Sequence, residues 1–172
     1  MTEPAIPNHP SPDQPIPKPP SLATAYHEAG HAVVALALGR LVQRVSILPN
    51  QLRLGACELK KGKSKQAHDP IEDEILIFLG GVAAEARFTG VYHWGGAQQD
   101  LRYVRSLTTQ RAGTQKQIEK LERRMLSKVE HLLDEPAVWL ATKLIAEELI
   151  RSTTISGRAA QHLFTQAAAQ CD

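Results

Sequence analysis

The residues best equipped for chemistry stand together at His27-Glu28-Ala29-Gly30-His31, a match to HExxH. Two imidazoles and a carboxylate at this spacing have a specific use if the segment is helical. Residues four apart on an α-helix differ by about 40° in direction, so His27 and His31 point the same way. Both rings can then hold one metal ion at about 2.0–2.1 Å. Zinc suits such a donor set, provided that a third ligand arrives and one position stays open. Zinc also lowers the pKa of a bound water to about 7. Glu28, one residue past the first ligand, would take that water's proton and later return it to a leaving amine. Burying two histidines and a glutamate with neither metal nor partner would carry a heavy desolvation cost. The expected chemistry is metal-assisted hydrolysis, with Glu28 catalytic and His27 and His31 as zinc ligands.

The element that presents them is a helix over 21–38. Pro19 and Pro20 bar its extension upstream, Ser21 or Thr24 can cap it, and Gly39 can end it. Leu22, Ala25, Tyr26, Ala29, Val33 and Leu36 make one apolar stripe, and Ala23, Val34 and Leu38 continue round the other side, so the helix is expected to be buried. Two strand-like runs follow, 44–48 and 52–59, with a turn at Pro49-Asn50 and then a surface loop carrying Lys60, Lys61, Lys63 and Lys65. Asp69-Pro70 with Glu72 predicts a helix start with a capping box. That helix runs to about Phe88, and its interior pair Gly80-Gly81 predicts a second backbone packed very close. Further helices are expected from about Ala97, from Thr114 with Gln117 as a capping box, from Pro136 and from Ser156. The fold class is mainly α (α+β), a helical domain over 21–172 with a small sheet after the HExxH helix.

Composition agrees with one domain. The chain has 172 residues, 42% of them hydrophobic but only 5% aromatic, so the core must be largely aliphatic. A net charge of +2 gives no case for a nucleic-acid partner. Cys57 and Cys171 fit no disulfide framework, which favours a reducing compartment. Residues 1–20, with prolines from Pro4 to Pro20 and few large apolar side chains, are expected to form a disordered tail. No apolar run approaches the roughly 18 residues of a membrane span, and the start is not that of a secretory signal. A cytoplasmic protein that is not integral to a membrane is expected.

Residues 24–31 (TAYHEAGH), extended by Ala32-Val33-Val34, resemble the protease domain of the FtsH family of zinc peptidases. So do residues 79–85 (LGGVAAE), and residues 96–101 (GAQQDL) are similar to the family's Gly-Ala-Ser-Asn-Asp-Leu stretch. The likeness is clear over 24–104 and only general beyond. It implies that Asp100 is the third zinc ligand, in keeping with a carboxylate in the first turn of a predicted helix. It implies that Glu85 supports the ligands rather than binding metal. It also implies that the second strand, through Leu54, Gly55, Ala56 and Cys57, pairs with substrate backbone, where Gly55 would permit close approach. Gln98 and Gln99 depart from the family's Ser-Asn, which bears on substrate preference more than on zinc. FtsH-type proteins carry membrane segments and an AAA ATPase module. The sequence holds no GxxxxGK[ST], so ATP-independent cleavage of unfolded polypeptides, or work beside a separate unfoldase, is expected. A homo-oligomer is compatible with the resemblance. The alternative is a catalytically silent, zinc-stabilised module that binds peptides or regulates.

Overall fold

The computed structural model describes residues 21–49, 56–59 and 69–171. The expected tail over 1–20, the lysine-bearing loop, and Leu54 and Gly55 lie outside the described residues.

Helix α1 (Leu22–Ala37) begins where Ser21 Oγ accepts the amide of Thr24 at 3.1 Å. It gives way to Gly39, whose φ of 71° is open to glycine at little cost. Every residue from Glu28 to Leu36 is buried, as the all-round apolar pattern predicts. Helix α2 (Pro70–Thr89) starts with Asp69 Oδ1 accepting the amide of Ile71 at 3.0 Å and Pro70 in the first turn. Glu72 does not close the expected capping box. Its carboxylate accepts from Lys128 Nζ instead, tying α2 to α4 (Gln115–Asp134). Helix α4 does have its box: Thr114 Oγ1 accepts the amide of Gln117, whose own Oε1 accepts the amide of Thr114.

The glycine pair has the predicted neighbour. A Cβ on Gly30 would lie 2.3 Å from the carbonyl oxygen of Gly80, and a Cβ on Gly80 would lie 2.8 Å from that of Gly30. The backbones of α1 and α2 therefore touch, and their pairing forms the centre of the molecule. Helix α5 (Pro136–Ser152) also packs against α1. There Tyr26 of α1 stacks on Phe88 of α2 with ring centroids 4.0 Å apart, and Trp139 of α5 stands 5.7 Å from Tyr26.

The sheet differs from expectation. Strand β1 (Val42–Ser46) starts two residues before the predicted run, and β2 (Ala56–Leu59) is the described part of the second run. A third strand, β3 (Thr154–Ser156), joins between α5 and α6 (Gly157–Cys171), giving the order β2-β1-β3. Both pairings are antiparallel, with Val45 opposite Cys57 on one side and Ile155 on the other. Three residues are too few to display alternation, so β3 had no signal of its own. Gly157 lets α6 begin against β1: a Cβ there would fall 1.8 Å from the carbonyl oxygen of Val42. Among the described residues β2 pairs only with β1, which leaves it an edge strand. Helix α3 (Gln98–Thr108) completes the set and packs on α2.

Candidate metal centre

Two helices supply the cluster. Helix α1 carries His27 and His31 one turn apart, so their rings lie together, centroids 4.7 Å apart and nearly perpendicular. Helix α3 presents Asp100 in its first turn. Asp100 Oδ2 lies 2.9 Å from His27 Nε2 and 3.6 Å from His31 Nε2. Two ligands on one tetrahedral ion at 2.0–2.1 Å are themselves about 3.3 Å apart, and the two separations straddle that value. The three donors all lie within 4.8 Å of one another. The donor set and its spacing thus fit a zinc ion.

Helix α2 lies behind this cluster and holds its rings through hydrogen bonds. The Ile77 carbonyl, an acceptor only, takes a hydrogen bond from His31 Nδ1 at 2.8 Å. In the neutral ring this places the lone pair on Nε2, toward Asp100. Glu85 Oε2 accepts from His27 Nδ1 at 2.9 Å. On the other oxygen of Glu85, His93 Nδ1 approaches to 3.4 Å. Gly81 clears the space in which the rings sit: a Cβ there would lie 2.5 Å from His31 Nε2 and 2.8 Å from His27 Nε2. Gly80 meets backbone and Gly81 meets imidazole, a division that the bare pair of glycines did not reveal. Glu28 is 6% exposed, buried on α1 between the two histidines in sequence.

The electrostatics follow from this enclosure. Burial, the largest influence on His27, opposes its positive charge, but the hydrogen bonds to Asp100 and Glu85 outweigh it. In the protein without metal its pKa is raised to about 10. Burial would raise Asp100, yet the hydrogen bond from His27, with His31 close by, holds it well below the usual carboxylate range. Burial pushes the Cys57 thiol up, and the nearby Glu28 carboxylate adds to this. Cys57 is accordingly a neutral thiol, not a ready thiolate ligand.

The structure brings His27, His31, Asp100 and Glu85 into one contiguous group, and Glu28, next to His27 in the chain, is buried on α1. Of the four substrate-strand residues, only Ala56 and Cys57 fall among those described. Ala56 pairs with Ser46 across the sheet, and Cys57 lines a cavity of about 230 Å³ together with His31 and Asp100. Sequence reasoning missed the roles of Ile77 and Gly81. A backbone carbonyl carries no residue signature, whereas Gly81 at least announced itself as an interior helical glycine.

A family model described as "Peptidase family M41" matches residues 18–115. Curated relatives named "ATP-dependent zinc metalloprotease FtsH" are similar over about half the chain. The protein of Chlamydia trachomatis serovar L2 is 39% identical over 92 residues, covering 49% of this chain and 10% of that protein. That of Marinobacter nauticus is 32% identical over 103 residues, covering 58% of this chain and 16% of the relative. "ATP-dependent zinc metalloprotease FtsH 2" of Salinibacter ruber is 36% identical over 87 residues, 48% and 13% respectively. The chain thus matches only a small part of the length of these relatives.

Proposed function

The chain belongs to peptidase family M41, and from that premise we propose that it is a zinc-dependent endopeptidase that hydrolyses peptide bonds in unfolded or loosely folded polypeptides. The observation that carries this reading is the convergence of His27 Nε2, His31 Nε2 and Asp100 Oδ2 within 4.8 Å, beside the buried Glu28.

In this reading His27, His31 and Asp100 hold the ion. When bound, zinc supplies Lewis acidity that polarises the scissile carbonyl and acidifies water. Glu28 accepts the proton of the attacking water on its carboxylate and delivers it to the departing amine nitrogen. Glu85 and the Ile77 carbonyl keep the two Nδ1 protons engaged, so that each Nε2 faces the ion. The side of β2 that has no partner among the described residues would pair with substrate backbone, with Cys57 lining the same cavity as His31 and Asp100. Backbone pairing reads little sequence, which suits an enzyme for extended chains. On a substrate that is already unfolded, no nucleotide is required, and a separate unfoldase would extend the range to folded proteins.

The test is metal analysis combined with proteolysis of a permanently unfolded substrate, wild type against Glu28→Gln. The wild type should hold about one zinc per chain and cleave the substrate. Glu28→Gln should keep its zinc and lose about 10²–10⁴-fold in rate. A zinc-loaded wild type that cleaves nothing would favour the silent module instead.

A further inference from the structure

The cavity beside the metal ligands contains a charge that the hydrolytic reading does not use. This space of roughly 230 Å³ is lined in part by His31 and Asp100. Its walls are Cys57 and Leu59 from β2 and Phe78 and Tyr103 from α2 and α3. Glu74 also lines it, half-buried on α2. Among the described residues Glu74 has no hydrogen-bond or ion-pair partner.

The placement on α2 gives the distance. Glu74, Phe78, Gly81 and Glu85 follow one face of the helix, at spacings of four, three and four residues. Gly81 faces the imidazoles, so Glu74 stands seven residues, about 10.5 Å along the axis, from the ligand cluster. Between them the rings of Phe78 and Tyr103 lie 4.4 Å apart, inclined at 39°. Tyr103 is 47% exposed, so its ring is open to a visitor. A group entering beside the metal thus meets apolar and aromatic walls first and a carboxylate at the far end.

Resting on the peptidase reading, we propose that this cavity is a specificity subsite for a substrate arginine or lysine adjoining the scissile bond, with Glu74 as its determinant. A short side chain would leave the carboxylate unmet. A long aliphatic stem lies along Leu59 and Cys57 while its cationic tip reaches Glu74. Arginine fits better than lysine, because its planar guanidinium can stack on Tyr103 or Phe78 and pair with both carboxylate oxygens. An acidic side chain is repelled by Glu74.

Two measurements test this. First, cleavage sites in an unfolded substrate are mapped by mass spectrometry for the zinc-loaded wild type, Glu74→Gln and Glu74→Arg. Arginine and lysine should be enriched about tenfold at one position next to the cleaved bond. The enrichment should vanish in Glu74→Gln and turn toward aspartate and glutamate in Glu74→Arg. Second, a fluorescent peptide containing one arginine and its twin with citrulline, a neutral isostere, are titrated into zinc-loaded Glu28→Gln. The arginine peptide should bind about tenfold tighter, and the difference should disappear when Glu74→Gln is added. Cleavage without a basic preference, or a preference that survives Glu74→Gln, overturns the subsite while leaving the peptidase reading intact. Absence of cleavage with a Glu74-dependent arginine preference in binding sinks the peptidase reading but keeps the subsite. Equal binding of the two peptides, or binding of neither, overturns the subsite.

Discussion

His27 sits between two carboxylates, with Glu85 on one ring nitrogen and Asp100 on the other. Its pKa in the metal-free protein, about 10, lies above the ordinary 6.5. Protonated His27 contributes stability that is fully present below about pH 6.5 and is lost as pH rises through about 10. Metal binding needs Nε2 without its proton. Between those limits zinc should therefore displace about one proton, and its affinity should rise about tenfold per pH unit. Asp100, held ionised, adds no proton in this window. Calorimetric titration of zinc in buffers of different ionisation enthalpy measures the count, and zero protons released at pH 8 would contradict this account. Glu85→Gln should weaken zinc binding about 10–100-fold, because the ring loses its anionic partner. Competition with a chromophoric chelator reads that change. The proposed third ligand illustrates what residue types alone conceal. An aspartate in the first turn of a helix is ordinary, so Asp100 was identified through family resemblance and not through its spacing.

At the scale of elements, α1 and α2 form the frame, and two glycine contacts divide its tasks. Gly30→Ala places a methyl 2.3 Å from the Gly80 carbonyl oxygen, so the helices must part. We expect a loss of about 1–3 kcal/mol or more of stability, visible in denaturant unfolding. Gly81→Ala instead places its methyl against both imidazoles. It should cost zinc content more than it costs the helical signal in circular dichroism. A Gly81→Ala protein that held full zinc would refute that division. Much of this frame was legible. The HExxH helix, its caps, the Asp69-Pro70 start and the Thr114 capping box all rest on short-range chemistry that the chain writes locally. The glycine pair predicted a close neighbour but could not name Gly30 as that neighbour, since which helix lies alongside is decided by long-range packing. Strand β3 was illegible for a related reason. Its three residues are strand because β1 lies beside them, with Arg44 opposite Ser156 and Ser46 opposite Thr154.

Taken whole, the molecule brings together the proposed ligands on α1 and α3, 69 or more residues apart in sequence, with their hydrogen-bond partners on α2 between. An ion held by both helices stabilises the native state by mass action, about 4 kcal/mol when its free concentration is a thousandfold above Kd. Chelation should therefore lower the melting temperature by several degrees, and restored zinc should recover it. Unchanged melting with and without chelator would speak against ligands drawn from separate helices. No helix among the described residues is long and apolar enough to cross a membrane.

The stretch that the family model matches ends at residue 115, yet the fold does not. Beyond it, α5 packs against α1 through Trp139 beside Tyr26, and β3 occupies the second side of β1. A fragment cut at the matched boundary would keep His27, His31 and Asp100 and still be a poor protein. Its β1 would expose a raw row of amides and carbonyls, and the flank of α1 facing α5 would lie bare to water. Such an edge recruits other chains, and the fragment would precipitate. Anyone trimming this chain should cut no earlier than the end of α6.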